Sequence, residues 1–237
     1  MSVRPSAAIV WSLLCGTLCG AVSAGADEAP VHEAVRAVYR LYYGGLPMGE
    51  VIEQWQRDGE HYHLHSEAHP YPVVRWLAPS FVESSDGVIR DGFLRPDRFE
   101  HQRSDDPQPM IAEFRWDQGQ LVQHFDGKTE TLPLDPHTQD MQSIKYLYRA
   151  GDAWIDRDLP MTTGKRLETH HFVLQDTLPL ATEAGRFETR HLVDHNDQAP
   201  SHFEIWLAQD RRYPPVRMQV TERGHRWEQR LLQVEFE

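Results

Sequence analysis

The densest run of side chains able to do chemistry is His61-Tyr62-His63-Leu64-His65-Ser66-Glu67-Ala68-His69. In an extended strand, residues two apart share a face and lie about 6.5–7 Å from each other. His61, His63, His65 and Glu67 would then line one side. Neighbouring imidazoles with a carboxylate oxygen suit zinc or copper. The same pattern also describes a solvated strand face, with Tyr62, Leu64 and Ala68 packed beneath it. The chain holds 14 histidines, so chance clustering is easy, and no HExxH spacing occurs anywhere.

A looser group is His170, His171, His191, His195 and His202, spread over successive strands with Asp194. It reads either as an acid–base site or as exposed hairpin ends. Asp152, Asp156 and Asp158 flank Trp154 and read as the wet face of a connecting segment rather than as paired carboxylates for sugar hydrolysis. Recognised enzyme motifs are missing. There is no GxSxG nucleophile elbow. Gly127-Lys128-Thr129 ends like a phosphate-binding loop, but Val122 stands where the first glycine belongs. No catalytic residue is assigned, and a non-enzymatic protein is the expectation.

Whatever these residues do, strands must position them. Phe203, Ile205 and Leu207 alternate with Glu204 and Trp206, the period-two pattern of a strand with one buried face. Pro214 and Pro215 interrupt, because proline donates nothing to a ladder. Val216, Met218 and Val220 resume the alternation, Arg223-Gly224 turns, and a closing strand runs over 227–236. Three antiparallel strands in a row make a meander.

The first residues read differently. Arg4 precedes an apolar run over 7–18 and a small-residue stretch over 21–26, the layout of a secretory signal peptide. Cleavage is expected after Ala24 or Ala26, placing the mature protein in the periplasm. The run is shorter than the roughly 20 apolar residues of a spanning helix, and no transmembrane segment is expected after it. Cys15 and Cys19 are the only cysteines, so the mature chain has no disulfide or thiol chemistry. The net charge of −12 at pH 7 becomes more negative when Arg4 leaves. That argues against nucleic acid as a partner, but not against an apolar ligand.

The mature chain, 27–237, reads as one domain. Strands are predicted over 35–43, 50–57, 61–69, 99–103, 110–116, 120–125 and 128–132. Hairpin turns are predicted at Asp58-Gly59, Asp86-Gly87 and Asp126-Gly127. Residues 71–79, rich in proline and apolar side chains, read as a turn against a barrel mouth. Met141, Ile144, Leu147 and Tyr148 fall at helical spacing, with Thr138 as cap and Gly151 beyond the end, predicting a helix over 139–149. Further strands are predicted over 154–160, 165–174, 186–193 and 201–207. Roughly a dozen short strands with turn signals every 8 to 12 residues give an all-β, mainly antiparallel fold, a meandering open or closed barrel.

Several spaced features carry a resemblance. They are Tyr39 with the loop Gly44 to Gly49, Ser85-Asp86-Gly87 followed by Leu94-Arg95-Pro96, and Thr138-Gln139-Asp140 with Ser143. Gly185-Arg186-Phe187-Glu188-Thr189 and Ile205-Trp206-Leu207 with Asp210, Pro214, Pro215, Val216 and Arg217 complete the set. In that order and spacing the chain, over about 38–236, resembles the bacterial exported family called domain of unknown function 3108. The resemblance implies an antiparallel β-barrel similar in style to periplasmic carriers of lipoproteins and other hydrophobes, and it supplies no catalytic residues. The second proline at 214–215 departs from the family pattern.

Tryptophans are the remaining signal. Trp206 lies opposite Ile205 and Leu207, so its strand is apolar on both faces and either has a cover or lines a cavity. Trp55, Trp76, Trp116 and Trp206 are the candidate ligand-binding residues. The leading expectation is a periplasmic binder or carrier of a hydrophobic or lipidic envelope component. The alternatives are a metal-assisted hydrolase centred on His61, His63 and His65, with zinc or copper as cofactor, and an assembly or scaffold protein acting through edge strands or the 71–81 loop.

Overall fold

The computed structural model describes residues 31–75, 79–196 and 199–237. The expected signal peptide and Trp76 lie outside the described residues. Among the described residues, fifteen strands form one continuous sheet. The first five are β1 (His32–Tyr43), β2 (Leu46–Asp58), β3 (His61–Pro70), β4 (Phe81–Arg90) and β5 (Phe93–Arg103). Then come β6 (Met110–Arg115), β7 (Gln120–Phe125), β8 (Lys128–Pro133) and the short β9 (Gln139–Asp140). After the helical segment follow β10 (Asp158–Thr162), β11 (Leu167–Thr182), β12 (Gly185–Asp194), β13 (Ser201–Ala208), β14 (Pro215–Glu222) and β15 (His225–Phe236).

The sheet runs β8-β7-β6-β5-β4-β3-β2-β1-β15-β14-β13-β12-β11-β10-β9, two meanders joined where β1 pairs with β15. Every pairing is antiparallel except β9 with β10. It does not close, because β8 and β9 end the order. The antiparallel all-β expectation is met, with more and longer strands than the turn signals suggested.

Two of the sequence's break signals, Asp86-Gly87 and Pro214-Pro215, are met by different geometry. Asp86-Gly87 is no turn. Strand β4 runs straight through it, with a bulge at that point, and the turn falls at Asp91-Gly92. Gly87 is required there because a Cβ would overlap the Arg95 carbonyl and come within 2.8 Å of Pro96 Cα. Its lack of a side chain permits close strand approach. At the other signal, Pro215 does begin β14, the strand position that tolerates proline, and a register shift lies at Trp206/Leu207.

The predicted helix over 139–149 is broken into pieces. Gln139 and Asp140 bridge to β10, Ser143–Tyr146 make one α turn (α1), and Leu147–Arg149 continue as a 3-10 turn. The break has a local cause. Asp140 Oδ1 accepts the backbone N–H groups of Gln142 and Ser143 at 2.8 Å each, and the helix starts at Ser143, four residues later than its spacing predicts. Ile144, Tyr146, Leu147, Tyr148 and Trp154 are all buried. A stretch buried on every side is an internal plug, not an amphipathic surface helix. It touches both halves of the sheet. Gln139 Nε2 donates to the Leu94 carbonyl at 2.9 Å on β5, and Tyr148 Oη donates to the Tyr213 carbonyl at 2.7 Å before β14.

Inward residues of the strands pack on this plug. Val35, Ala37, Tyr39 and Leu41 of β1, Val51 and Trp55 of β2, and Tyr62 and Leu64 of β3 belong to one apolar cluster. It continues through Phe172, Ile205, Val216 and Leu231 on the other half. A smaller cluster, Phe99, Ala112, Phe114 and Leu121, sits under β5 to β7. The predicted strand over 154–160 is shifted: Trp154 is buried in a turn, its Nε1 donating to Gly151 O at 3.1 Å, and β10 starts at Asp158.

Candidate functional site

Between the plug and the inner faces of β4, β5, β13, β14 and β15 the packing leaves a cleft. Its throat, about 120 Å³, is walled by Leu41, Phe81, Phe203, Ile205, Met218 and Trp227. A wider mouth of about 760 Å³ shares Met141, Phe203 and Val220 with the throat. The walls are apolar because period-two alternation sends Phe203, Ile205, Met218 and Val220 inward together.

The cleft floor is charged, and this is the less expected feature. On β2 the inward series Val51, Glu53, Trp55 contains a carboxylate that is 1 % exposed. Lys145 Nζ and Tyr146 Oη, both from the plug, donate to its two oxygens, the tyrosine at 3.0 Å. On β4 the inward series holds Glu83 and Ser85. Glu83 meets His101 Nδ1 at 2.7 Å and accepts a hydrogen bond from Gln142 Nε2. Burial alone would raise the Glu83 carboxyl, but the His101 hydrogen bond and charge, with Lys145 and Gln142, hold it below the usual range.

Asp140 is the opposite case. Burial pushes it up to about 6, although Ser85 Oγ donates to it at 2.7 Å and Gln142 and Ser143 N–H groups also bond it. Its unfolded value is about 3.9. Between those two values the folded chain holds a proton that the unfolded chain has released. Stability from this group is therefore present below about pH 4, falls as pH rises to about 6, and is flat above, a change of about 3 kcal/mol. Asp140→Asn keeps an oxygen for the two backbone donors and removes the titration. The variant's stability relative to wild type, from denaturant midpoints, is expected to rise by about 3 kcal/mol between pH 4 and pH 7. Groups that titrate the other way, such as Glu83, cancel in that difference. Equal differences at both pH values would show that Asp140 stays ionised.

A second buried polar group flanks the mouth. His170 Nδ1 lies 2.7 Å from Asp194 Oδ2, both side chains fully enclosed. Ser201 Oγ donates to Glu168 Oε2 at 2.7 Å. Burial would raise Asp194, but hydrogen bonds from His170 and from the His171 and Asn196 N–H groups keep it low. Of the looser histidine group, only His170 joins Asp194 in this way, and it is buried rather than at an exposed hairpin end. His171 faces Asp156 and Asp158, and His191 stacks on Trp206 with ring centroids 4.1 Å apart.

The histidine-rich strand alternates as read: Tyr62, Leu64 and Ala68 are buried, and His61, His63, His65 and Glu67 face outward. His63 lies 2.5 Å from Asp86, and Glu67 is shared by His65 and His69. Among the described residues, no three His, Cys, Asp or Glu side chains are placed to hold a metal ion. The tryptophans are scattered. Trp55 is fully buried between Tyr62 and Tyr146. Trp116 lies half-buried under Arg95 and donates to Pro96 O at 2.8 Å. Trp206 sits on the outer face between His191 and Arg217. Among the described residues, the tryptophan that lines the throat is Trp227. Sequence reading passed over Glu53, Glu83, His101 and Lys145. A signal existed: Glu53 and Glu83 stand at inward positions of their strands, where a charge needs a buried partner.

Among solved structures, the chain is similar to a crystal structure titled as a β-barrel-like protein of domain of unknown function DUF1849 from Brucella abortus. The TM-score is 0.55 at 12 % identity, covering 86 % of this chain and 98 % of that one. At that identity the likeness concerns the fold alone. No curated protein matches the chain. Among the described residues no helix is long and apolar enough to cross a membrane. The family described as "Protein of unknown function (DUF3108)" matches residues 38–223, and the chain belongs to that family.

Proposed function

We propose that the protein is a non-catalytic binder that takes a single apolar tail of a cell-envelope molecule into the throat and leaves its polar head in the mouth. The observation that carries this reading is the apolar throat opening into a wider polar cleft. Ligand sites commonly span about 300–1,000 Å³. The throat alone is smaller than that, which favours one narrow chain over a multi-chain lipid. Arg103, Lys165 and Arg166 at the mouth are paired with Asp105, Asp126 and Glu222. That balance suits a neutral or zwitterionic head. Export by the N-terminal leader, with a periplasmic place of work, belongs to the same proposal.

The test uses a fluorescent single-chain amphiphile, a dansyl-labelled undecanoyl amide with a zwitterionic head. Ile205 is 1 % exposed and borders the throat, so Ile205→Trp would fill it. Binding is expected to weaken at least about tenfold, or 1.4 kcal/mol, in a variant whose melting curve remains cooperative. Undiminished binding by the filled variant, or no binding by wild type, would sink the reading.

A further inference from the structure

We propose that the mouth of the cleft binds one cuprous ion through the thioether sulfurs of Met110, Met141 and Met161 and through Nε2 of His101. The chain has six methionines. Three of them, Met110, Met141 and Met161, line the mouth together with His101, and a fourth, Met218, lines the throat.

The topology brings the four ligands toward one another. His101 and Met110 are direct partners across β5 and β6. Their Cβ atoms are therefore about 4.5–5.5 Å apart on one face. Met141 is next to Gln142, whose amide bonds the same Glu83 carboxylate that meets His101. Met161 on β10 pairs with Gln139, two residues before Met141. The turn that follows Met161 packs against the opposite wall: a Cβ on Gly164 would lie 3.1 Å from Met110 Cβ.

The chemistry of the donor set selects the ion. Thioethers are soft, neutral donors that favour Cu(I) over zinc. Glu83 engages Nδ1 of His101 and sets the tautomer, which leaves the Nε2 lone pair for a metal, the usual carboxylate–histidine–metal arrangement. Methionine is also a common gap-filler in apolar clefts, so the test must remove sulfur while keeping volume.

The experiment is an anaerobic Cu(I) titration against a chromophoric chelator. It uses the full chain carrying Cys15→Ser and Cys19→Ser, so that no leader thiolate competes. Wild type in this background is expected to take up one equivalent. Met110→Leu, Met141→Leu and Met161→Leu, close to volume-conserving, are each expected to weaken uptake at least about tenfold, and the triple variant to abolish it. Copper-edge X-ray absorption of the unsubstituted cleft needs no variant and is expected to show sulfur scatterers with one nitrogen or oxygen. No stoichiometric uptake, or a spectrum without sulfur, would overturn the proposal. So would uptake lost in His61→Ala, His63→Ala, His65→Ala and kept in the leucine triple. Ile205→Trp should still bind copper, so failure of the amphiphile reading and failure of this one give different results.

Discussion

Lys145→Ala is expected to lower stability by about 3–5 kcal/mol, the cost of leaving one member of a buried ion pair alone. Glu53 is almost fully enclosed, and the Lys145 side chain is only 12 % exposed. Removing the ammonium leaves a carboxylate with the Tyr146 hydroxyl as its remaining donor. The measurement is a denaturant midpoint with a check that the slope is unchanged. Lys145→Met combined with Glu53→Gln removes both charges, and most of the loss should return, because a neutral replacement of a buried pair is often close to neutral overall. A double-mutant cycle reads that coupling directly. A single-variant loss under about 1 kcal/mol would mean that the floor of the cleft is wet or adaptable. The proposals for the throat and the mouth would then rest on a softer frame.

Trp55→Ala is expected to cost a similar amount, about 3–5 kcal/mol, for a different reason. Its ring is stacked nearly parallel between Tyr62 at 5.8 Å and Tyr146 at 5.5 Å, and Arg149 lies 5.2 Å above it. Nε1 donates to Glu33 at 3.1 Å. One truncation removes the spacer that sets the distance between β3 and the plug. Trp55→Phe keeps most of the ring and should cost distinctly less. Trp55 is not among the residues bordering the cleft, so Trp55→Phe should bind the dansyl amphiphile with wild-type affinity. A large loss of affinity there would instead return Trp55 to the ligand-binding role first read from its sequence.

These two residues show how a strand pattern can be read correctly and its consequence missed. Alternation places Val51, Glu53 and Trp55 on one face of β2, and burial confirms it. Nothing within β2 says that Glu53 meets Lys145, because that lysine is 92 residues further along. The same holds for Glu83 and Gln142, 59 residues apart, and for the His101–Glu83 pair that spans β4 and β5. The histidine strand is the reverse case. Its four imidazoles are conspicuous in sequence, yet they lie on the outer face, where Asp86 and Glu67 serve as partners.

By itself, the sequence determined the all-β, antiparallel character, the inward face of most strands and the family. Those properties follow from local alternation and from turn residues whose conformational demands act over a few positions. Tertiary structure alone decided that residues 139–149 form a broken plug rather than a surface helix. Its helical spacing is local, but the burial of every side depends on strands from both halves of the sheet. It also decided where the cleft lies and which methionines and carboxylates meet there. A long-range antiparallel sheet brings together residues far apart in the chain, and only its register and curl choose which of them become neighbours.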